Sequence, residues 1–183
     1  IQSRLFLNRV LDSSSLYVSY YSIGRVLNDE LFQSKPFTIE YKATNQHLFN
    51  QPIYFDETGP NNFSLRIGDS GEEIKGRYNA PVMLDGLELL FRKHGNFVKG
   101  DEIGYFFVIN SREFLLDYLL GNLTAEPFNF NANTVRISFK DNNAYKARDI
   151  LNKIDTIYLQ YSNEQKNLAT KQKIDWISNE LVN

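Results

Sequence analysis

The chain has 183 residues, 42% of them hydrophobic and 14% aromatic, which is enough apolar side chain for one domain with a proper core and too much for a disordered segment. A net charge of −2, with lysines and arginines scattered rather than clustered, argues against nucleic acid as a partner. The absence of cysteine removes thiolate zinc sites, thiol nucleophiles and disulfides, and no run of about 18 apolar residues is present to span a membrane.

The first predicted element is a short amphipathic helix from Ile1 to Leu11. Ile1, Leu5, Leu7, Val10 and Leu11 fall on or near one face, and Ser13–Ser15 end it. Leu16–Tyr21 is rich in Tyr and Val and reads as a strand broken by Gly24. Leu27–Phe32 is expected to form a helical turn before Pro36. Phe37, Ile39 and Tyr41 alternate with polar residues in a clear strand, and Ile53–Phe55 forms a shorter one. Gly59-Pro60-Asn61 signals a turn, and Phe63, Leu65 and Ile67 alternate again. Gly68–Gly71 then predicts a hairpin into Ile74–Tyr78. Pro81 and Asp85-Gly86 bracket another segment. Leu87–Phe91 and Tyr105–Ile109 read as buried strands on either side of a turn at Gly95–Gly100. Ser111 can cap a helix in which Phe114, Leu115, Tyr118 and Leu119 recur, with Asp117 outward and Gly121 as the stop. Leu123–Phe130 is extended, and Pro127 marks it as an edge or irregular strand.

The last quarter, from Asn133 to Leu181, organises the rest. Val135, Ile137 and Phe139 alternate with Arg136, Ser138 and Lys140, the pattern of a half-buried strand. Asp141, Asn142 and Asn143 are candidate helix caps. Ala147, Ile150, Leu151, Ile154, Ile157, Tyr158 and Tyr161 then define one broad helical face, with Ile150, Leu151 and Ile154 at its centre. From Ser162 to Lys173 the sequence is almost wholly polar, yet no Gly or Pro interrupts it, so one helix is expected from Asn143 to Leu181, on the order of 60 Å long. Its first half packs on the body and its second half projects. Ile174, Ile177 and Leu181 restart an apolar stripe beside Trp176. Many strands with short turns, bracketed by helices, predict an α+β fold: a mostly antiparallel sheet packed by an N-terminal helix and a long projecting C-terminal helix, in a single domain spanning 1–183.

No constellation in the sequence carries chemistry. Gly95 to Gly100 has the outer spacing of a phosphate loop, but Asp101 and Glu102 stand where a Lys and a Ser or Thr are needed. The acidic pairs Asp56/Glu57, Glu72/Glu73 and Asp101/Glu102 sit in or beside turns and read as solvated loops rather than a glycosidase pair. His47 and His94 have no partner at ligand spacing. The 11 Tyr and 14 Phe fit core positions on strands better than sugar-stacking platforms, with Tyr17, Tyr20 and Tyr21 the ones expected to be partly exposed. The sequons at Asn62 and Asn122 are short enough to arise by chance. Catalytic residues, cofactors and metal ligands are therefore all predicted to be none.

Three stretches carry a family resemblance. They are IQSRLFLNRVLDS followed by LYVSYY; NFSLRIGDSGEEIKGRYN followed by Pro81, DGLELLFR and FFVI; and AYKARDILNKIDTIYLQYSNEQKNLATKQKIDWISNEL. Together they resemble the periplasmic domain of chain-length determinant (Wzz-type) polysaccharide co-polymerases, in the branch fused to a bacterial tyrosine autokinase. The third stretch is the most specific, and the likeness covers essentially the whole chain. It implies a domain on the periplasmic side of the bacterial inner membrane, held between two membrane helices. The chain begins and ends inside predicted helices, and the expectation is a domain excised from such an anchored protein.

The resemblance further implies a homo-oligomeric ring that sets the length or export of capsular or exopolysaccharide. Its partners would include a polysaccharide polymerase or an outer-membrane export protein, and any kinase activity would belong to a separate cytoplasmic domain. The favoured expectation is a non-catalytic scaffold and oligomerisation domain. The alternative is a carbohydrate-binding module, which would need an exposed aromatic platform.

Overall fold

A computed structural model describes residues 1–24, 26–68, 71–95, 104–129 and 134–182. The fold is α+β, with an N-terminal helix, a long C-terminal helix and several antiparallel sheets. The chain forms two compact units, one from Ser15–Tyr118 and the other from Ile1–Ser14 together with Leu119–Asn183.

The Ser15–Tyr118 unit is built from two antiparallel sheets. The six-stranded sheet contains β1 (Val18–Ile23), β2 (Asp29–Glu30), β4 (Pro52–Gly59), β5 (Asn62–Ile67), β6 (Glu73–Arg77) and β9 (Gly104–Ile109), in the order β2-β1-β9-β4-β5-β6. The three-stranded sheet holds β3 (Phe37–Ala43), β7 (Pro81–Leu84) and β8 (Leu87–Lys93), in the order β3-β8-β7. Alternation along the strands supplies the core between them. Ile53 and Phe55 of β4, Phe63 and Leu65 of β5, and Leu87, Leu89 and Phe91 of β8 are all buried. Aromatic rings join the sheets, with Phe63 and Phe91 centroids 4.4 Å apart and Phe37 and Phe55 centroids 4.2 Å apart. The β7–β8 hairpin turns on Asp85-Gly86. Both residues have positive φ, +39° and +80°, as the tight primed turns of hairpins require.

The other unit comprises α1 (Arg4–Asp12), the antiparallel ribbon of β10 (Leu123–Asn129) and β11 (Thr134–Phe139), and α3 (Ala144–Val182). Ser3 caps α1, its hydroxyl accepting from the Phe6 N–H. Phe6, Leu7, Val10 and Leu11 are its buried side chains. Helix α3 packs on α1 and β11, with Ile150 and Ile154 buried. The Gln2 amide donates to the Leu123 carbonyl at 2.9 Å and ties the start of the chain to β10. A bulge interrupts the ribbon between Pro127 and Asn129, where proline has no N–H to give the ladder.

Several expectations change. Leu5 is 74% exposed, and Phe6 takes the inward position on α1. The helical turn expected over Leu27–Phe32 is instead the short strand β2 on the edge of the large sheet, where Asp29 and Glu30 pair with Ser22 and Tyr21. The strand expected at Ile53–Phe55 runs from Pro52 to Gly59. Helix α2 (Arg112–Asn122) continues through Gly121, and Phe114 is exposed while Leu115, Leu116 and Leu119 are buried. On β11 the alternation survives only at its end. Val135 is exposed, whereas Ile137 and Phe139 are half-buried. The turns expected at Gly68–Gly71 and Gly95–Gly100 fall largely outside the described residues, as do Asp101 and Glu102.

Candidate interaction surfaces

Helix α3 is set by its cap. The Asn143 side-chain oxygen accepts from the N–H groups of Tyr145 and Lys146, both at 3.1 Å, and Asp141 in turn accepts from the Asn143 N–H. The 39 residues from Ala144 to Val182 make a helix about 58 Å long. Two faces follow one another along it. In the first half, Ile150 and Ile154 are buried, and Ala147, Leu151 and Ile157 are half-buried. Leu151 is thus at the margin of the packed face rather than at its centre. The packed stretch ends where Arg9 of α1 meets Glu164 at 2.9 Å and lies 5.3 Å over the ring of Tyr161.

From Asn163 to Ser178 every residue is exposed. Leu168, Ile174, Trp176 and Ile177 are each at least half exposed within that stretch. At about 100° per residue, Ile174 and Ile177 lie roughly half a turn around the axis from Ile150, Ile154 and Leu168. The second apolar stripe therefore does not extend the seam that packs on α1 and β11. It presents a separate surface. The side chain of Leu181, expected to complete this stripe, lies outside the described residues.

The six-stranded sheet carries an aromatic row on its outer face. Strand register sets Tyr21 opposite Phe106, Phe106 opposite Tyr54, and Tyr54 opposite Arg66. Tyr21 and Phe106 stack at 4.7 Å with 9° between their planes, and the Arg66 guanidinium sits 5.3 Å over the Tyr54 ring. Adjacent strands are about 4.8 Å apart, so Tyr21 and Phe106 cover one another's faces, whereas Tyr54 is tilted 48° from Phe106 with centroids 5.8 Å apart. The Tyr21–Phe106 stack and the Arg66 guanidinium over Tyr54 each take up a ring face that a sugar would need. Of the tyrosines expected to be partly exposed, Tyr17 and Tyr21 are half-buried, whereas Tyr20 is buried in the core.

Among the acidic pairs, Asp56 is exposed, but Glu57 turns inward on β4. Its carboxylate pairs with Lys93 of β8 with 10% of the side chain exposed. The pair spans the two sheets at one end of the core and is not the solvated loop expected from sequence. The alternation of β4 places Glu57 on the same side as Ile53 and Phe55, the signal that could have revealed it. Burial, reinforced by the charge of Glu57, pushes the neighbouring Tyr78 hydroxyl upward. Glu72 and Glu73 are exposed. Glu73, Lys75 and Arg77 edge an open cleft of about 700 Å³ beside β6. His47 is exposed and lies 4.0 Å from Asp85, and His94 is also exposed. No group of three or more His, Cys, Asp or Glu side chains capable of holding a metal occurs among the described residues.

No protein-family model and no curated protein matches this chain. Among the described residues, no helix is long and apolar enough to cross a membrane.

Proposed function

We propose that this chain is a non-catalytic scaffold and oligomerisation domain on the periplasmic side of the bacterial inner membrane, part of a polysaccharide co-polymerase that governs the chain length or export of a capsular or exopolysaccharide. The supporting observation is the second half of α3. A continuous exposed helix carries Ile174 and Ile177 on a surface distinct from the seam used within its own unit. Exposed apolar side chains grouped in this way are a contact surface for another chain. The resemblance supplies the biological setting. The alternative, a carbohydrate-binding module, needs exposed ring faces, and the faces taken up by the Tyr21–Phe106 stack and by Arg66 over Tyr54 do not favour it.

The reading is tested by replacing Ile174 and Ile177 together with Asn in the membrane-anchored protein. The expected result is a smaller assembly in detergent or nanodiscs, with the melting temperature of the isolated chain unchanged. An assembly of unaltered size would contradict it.

A further inference from the structure

Strand β6 closes one end of the six-stranded sheet, paired with β5 on one side and with no strand on the other among the described residues. Its register sets Arg77 opposite Asn62, Lys75 opposite Ser64 and Glu73 opposite Arg66, and the Tyr78 N–H donates to the Asn61 carbonyl. Bonds to β5 therefore fall at Ile74, Gly76 and Tyr78, and the backbone groups of Glu73, Lys75 and Arg77 point to the outer edge. One of these is in use: the Arg77 carbonyl accepts from the Ala80 N–H at 3.3 Å, where the chain turns toward β7. Among the described residues, no backbone partner reaches the Arg77 N–H or the N–H and carbonyl of Lys75 and of Glu73.

The open cleft of about 700 Å³ lies along this edge, between β6 and Ala80, Pro81 and Val82. Glu73, Lys75 and Arg77 are exposed, and none forms an ion pair among the described residues. On the opposite face of the strand, Ile74 packs half-buried against the core, and Gly76 carries no side chain. Cations on an edge repel a basic strand, but they also select an acidic one. A strand added antiparallel here sets alternate residues opposite Arg77, Lys75 and Glu73, on their exposed face. From its N-terminus, the complementary charges are acidic, acidic and basic. The residues between them fall opposite Gly76 and Ile74, on the side of the core, where apolar side chains fit. We propose that the edge of β6 is a docking site for an extended segment of another protein, added as an antiparallel strand with the pattern acidic–apolar–acidic–apolar–basic. No stretch of this chain has that pattern, so a second copy does not supply it. The site lies in the Ser15–Tyr118 unit and does not rest on the function proposed above.

The peptide Glu-Val-Glu-Val-Lys, blocked at both ends, is the probe, titrated into the chain and followed by backbone amide shifts in NMR. Binding is expected, with the largest shifts at Glu73, Lys75 and Arg77. The retro peptide Lys-Val-Glu-Val-Glu has the same composition and net charge, but it sets lysine against Arg77 and glutamate against Glu73. It should bind about tenfold more weakly. Methylating the nitrogen of the central glutamate removes the N–H aimed at the Lys75 carbonyl and should abolish binding. Lys75→Glu and Arg77→Glu together, both at exposed positions, should weaken the probe about tenfold and make Lys-Val-Lys-Val-Lys the preferred peptide. The proposal is overturned by no binding of the probe, by equal binding of the retro or methylated peptide, by shifts centred away from β6, or by unchanged affinity in the double variant. Shifts at β6 that follow the concentration of the chain rather than of the peptide would mark a contact between copies and overturn it too.

Discussion

The backbone N–H of Ile39 donates to the hydroxyl of Tyr20 at 3.0 Å, a bond from the edge of the three-stranded sheet to a side chain of the six-stranded one. Both residues are buried, so the bond satisfies a donor that water cannot reach. Replacing Tyr20 by Phe keeps the ring and its edge contact with Phe37 but orphans that N–H. The expected cost is about 1–3 kcal/mol in urea denaturation near pH 8.

The same tyrosine gives a pH dependence. Burial pushes its phenol up to about 12, against the lowering effect of the Ile39 bond. In the unfolded chain it titrates near 10. The unfolded state therefore loses the proton first, and this contribution to stability is complete below about pH 10 and lost as pH rises toward about 12. The Tyr20→Phe chain lacks this titration, so its deficit against the parent should narrow across that window. Denaturation curves that keep a constant separation between pH 9 and pH 12 would contradict the assignment.

The Glu57–Lys93 pair links β4 to β8 at one end of the core. Lys93→Met removes the cation and leaves a largely buried carboxylate without its cationic partner, at an expected cost of about 1–3 kcal/mol. Replacing Glu57 by Leu in the same chain should recover a large part of that loss, because two apolar side chains then extend the core they border. Losses that simply add in the double variant would show that the two side chains act independently. Thermal and chemical denaturation of the four chains completes the cycle.

On α3 the burial of Ile154 and the half-burial of Leu151 predict different costs. Ile154→Ala should lose about 2–5 kcal/mol, the range for a fully buried aliphatic side chain. Leu151→Ala should lose about 1 kcal/mol, since only part of its surface is removed from water. The opposite ranking would place the packed face of the helix elsewhere.

Gly76 faces Phe63 across the β5–β6 pair, and an added Cβ would come within 2.4 Å of that ring. Phe63 is fully buried among Phe55, Tyr78 and Phe91 and has little room to yield. Gly76→Ala is therefore expected to destabilise by about 1–3 kcal/mol through overpacking, despite the usual gain from replacing a strand glycine. A stabilised variant would mean that the ring moves freely.

The elements that could be read from the sequence are those whose periodicity and punctuation agree. Phe37, Ile39 and Tyr41 of β3, and Phe63, Leu65 and Ile67 of β5, alternate between turn signals. Asn143 opens α3, and nothing in the following 39 residues closes it early. What could not be read depends on neighbours distant in the chain. Asp29 and Glu30 form a strand because β1 offers an edge, not because two acidic residues favour one. Glu57 looks like a loop residue beside Gly59 until the length of β4 carries it inside against Lys93. Leu5 and Phe6 are adjacent on α1, and only Phe6 is buried, which depends on the packing around the helix rather than on its own sequence. Of the interaction surfaces, the apolar restart of α3 was legible as a pattern, but its place on the far side of the helix from the packed seam emerges only once Ile150 and Ile154 are known to be buried.

The central claim is that the second half of α3 joins copies of this chain around an axis in the anchored protein, where tethering to one membrane raises the local concentration. Single cysteines at Asn167 and Lys171, on the exposed stretch leading to Ile174, test it most directly. Crosslinking in intact membranes should give inter-subunit adducts larger than a dimer when the two positions are combined. A protein that yields no adduct from these positions and stays monomeric in the membrane would contradict the account.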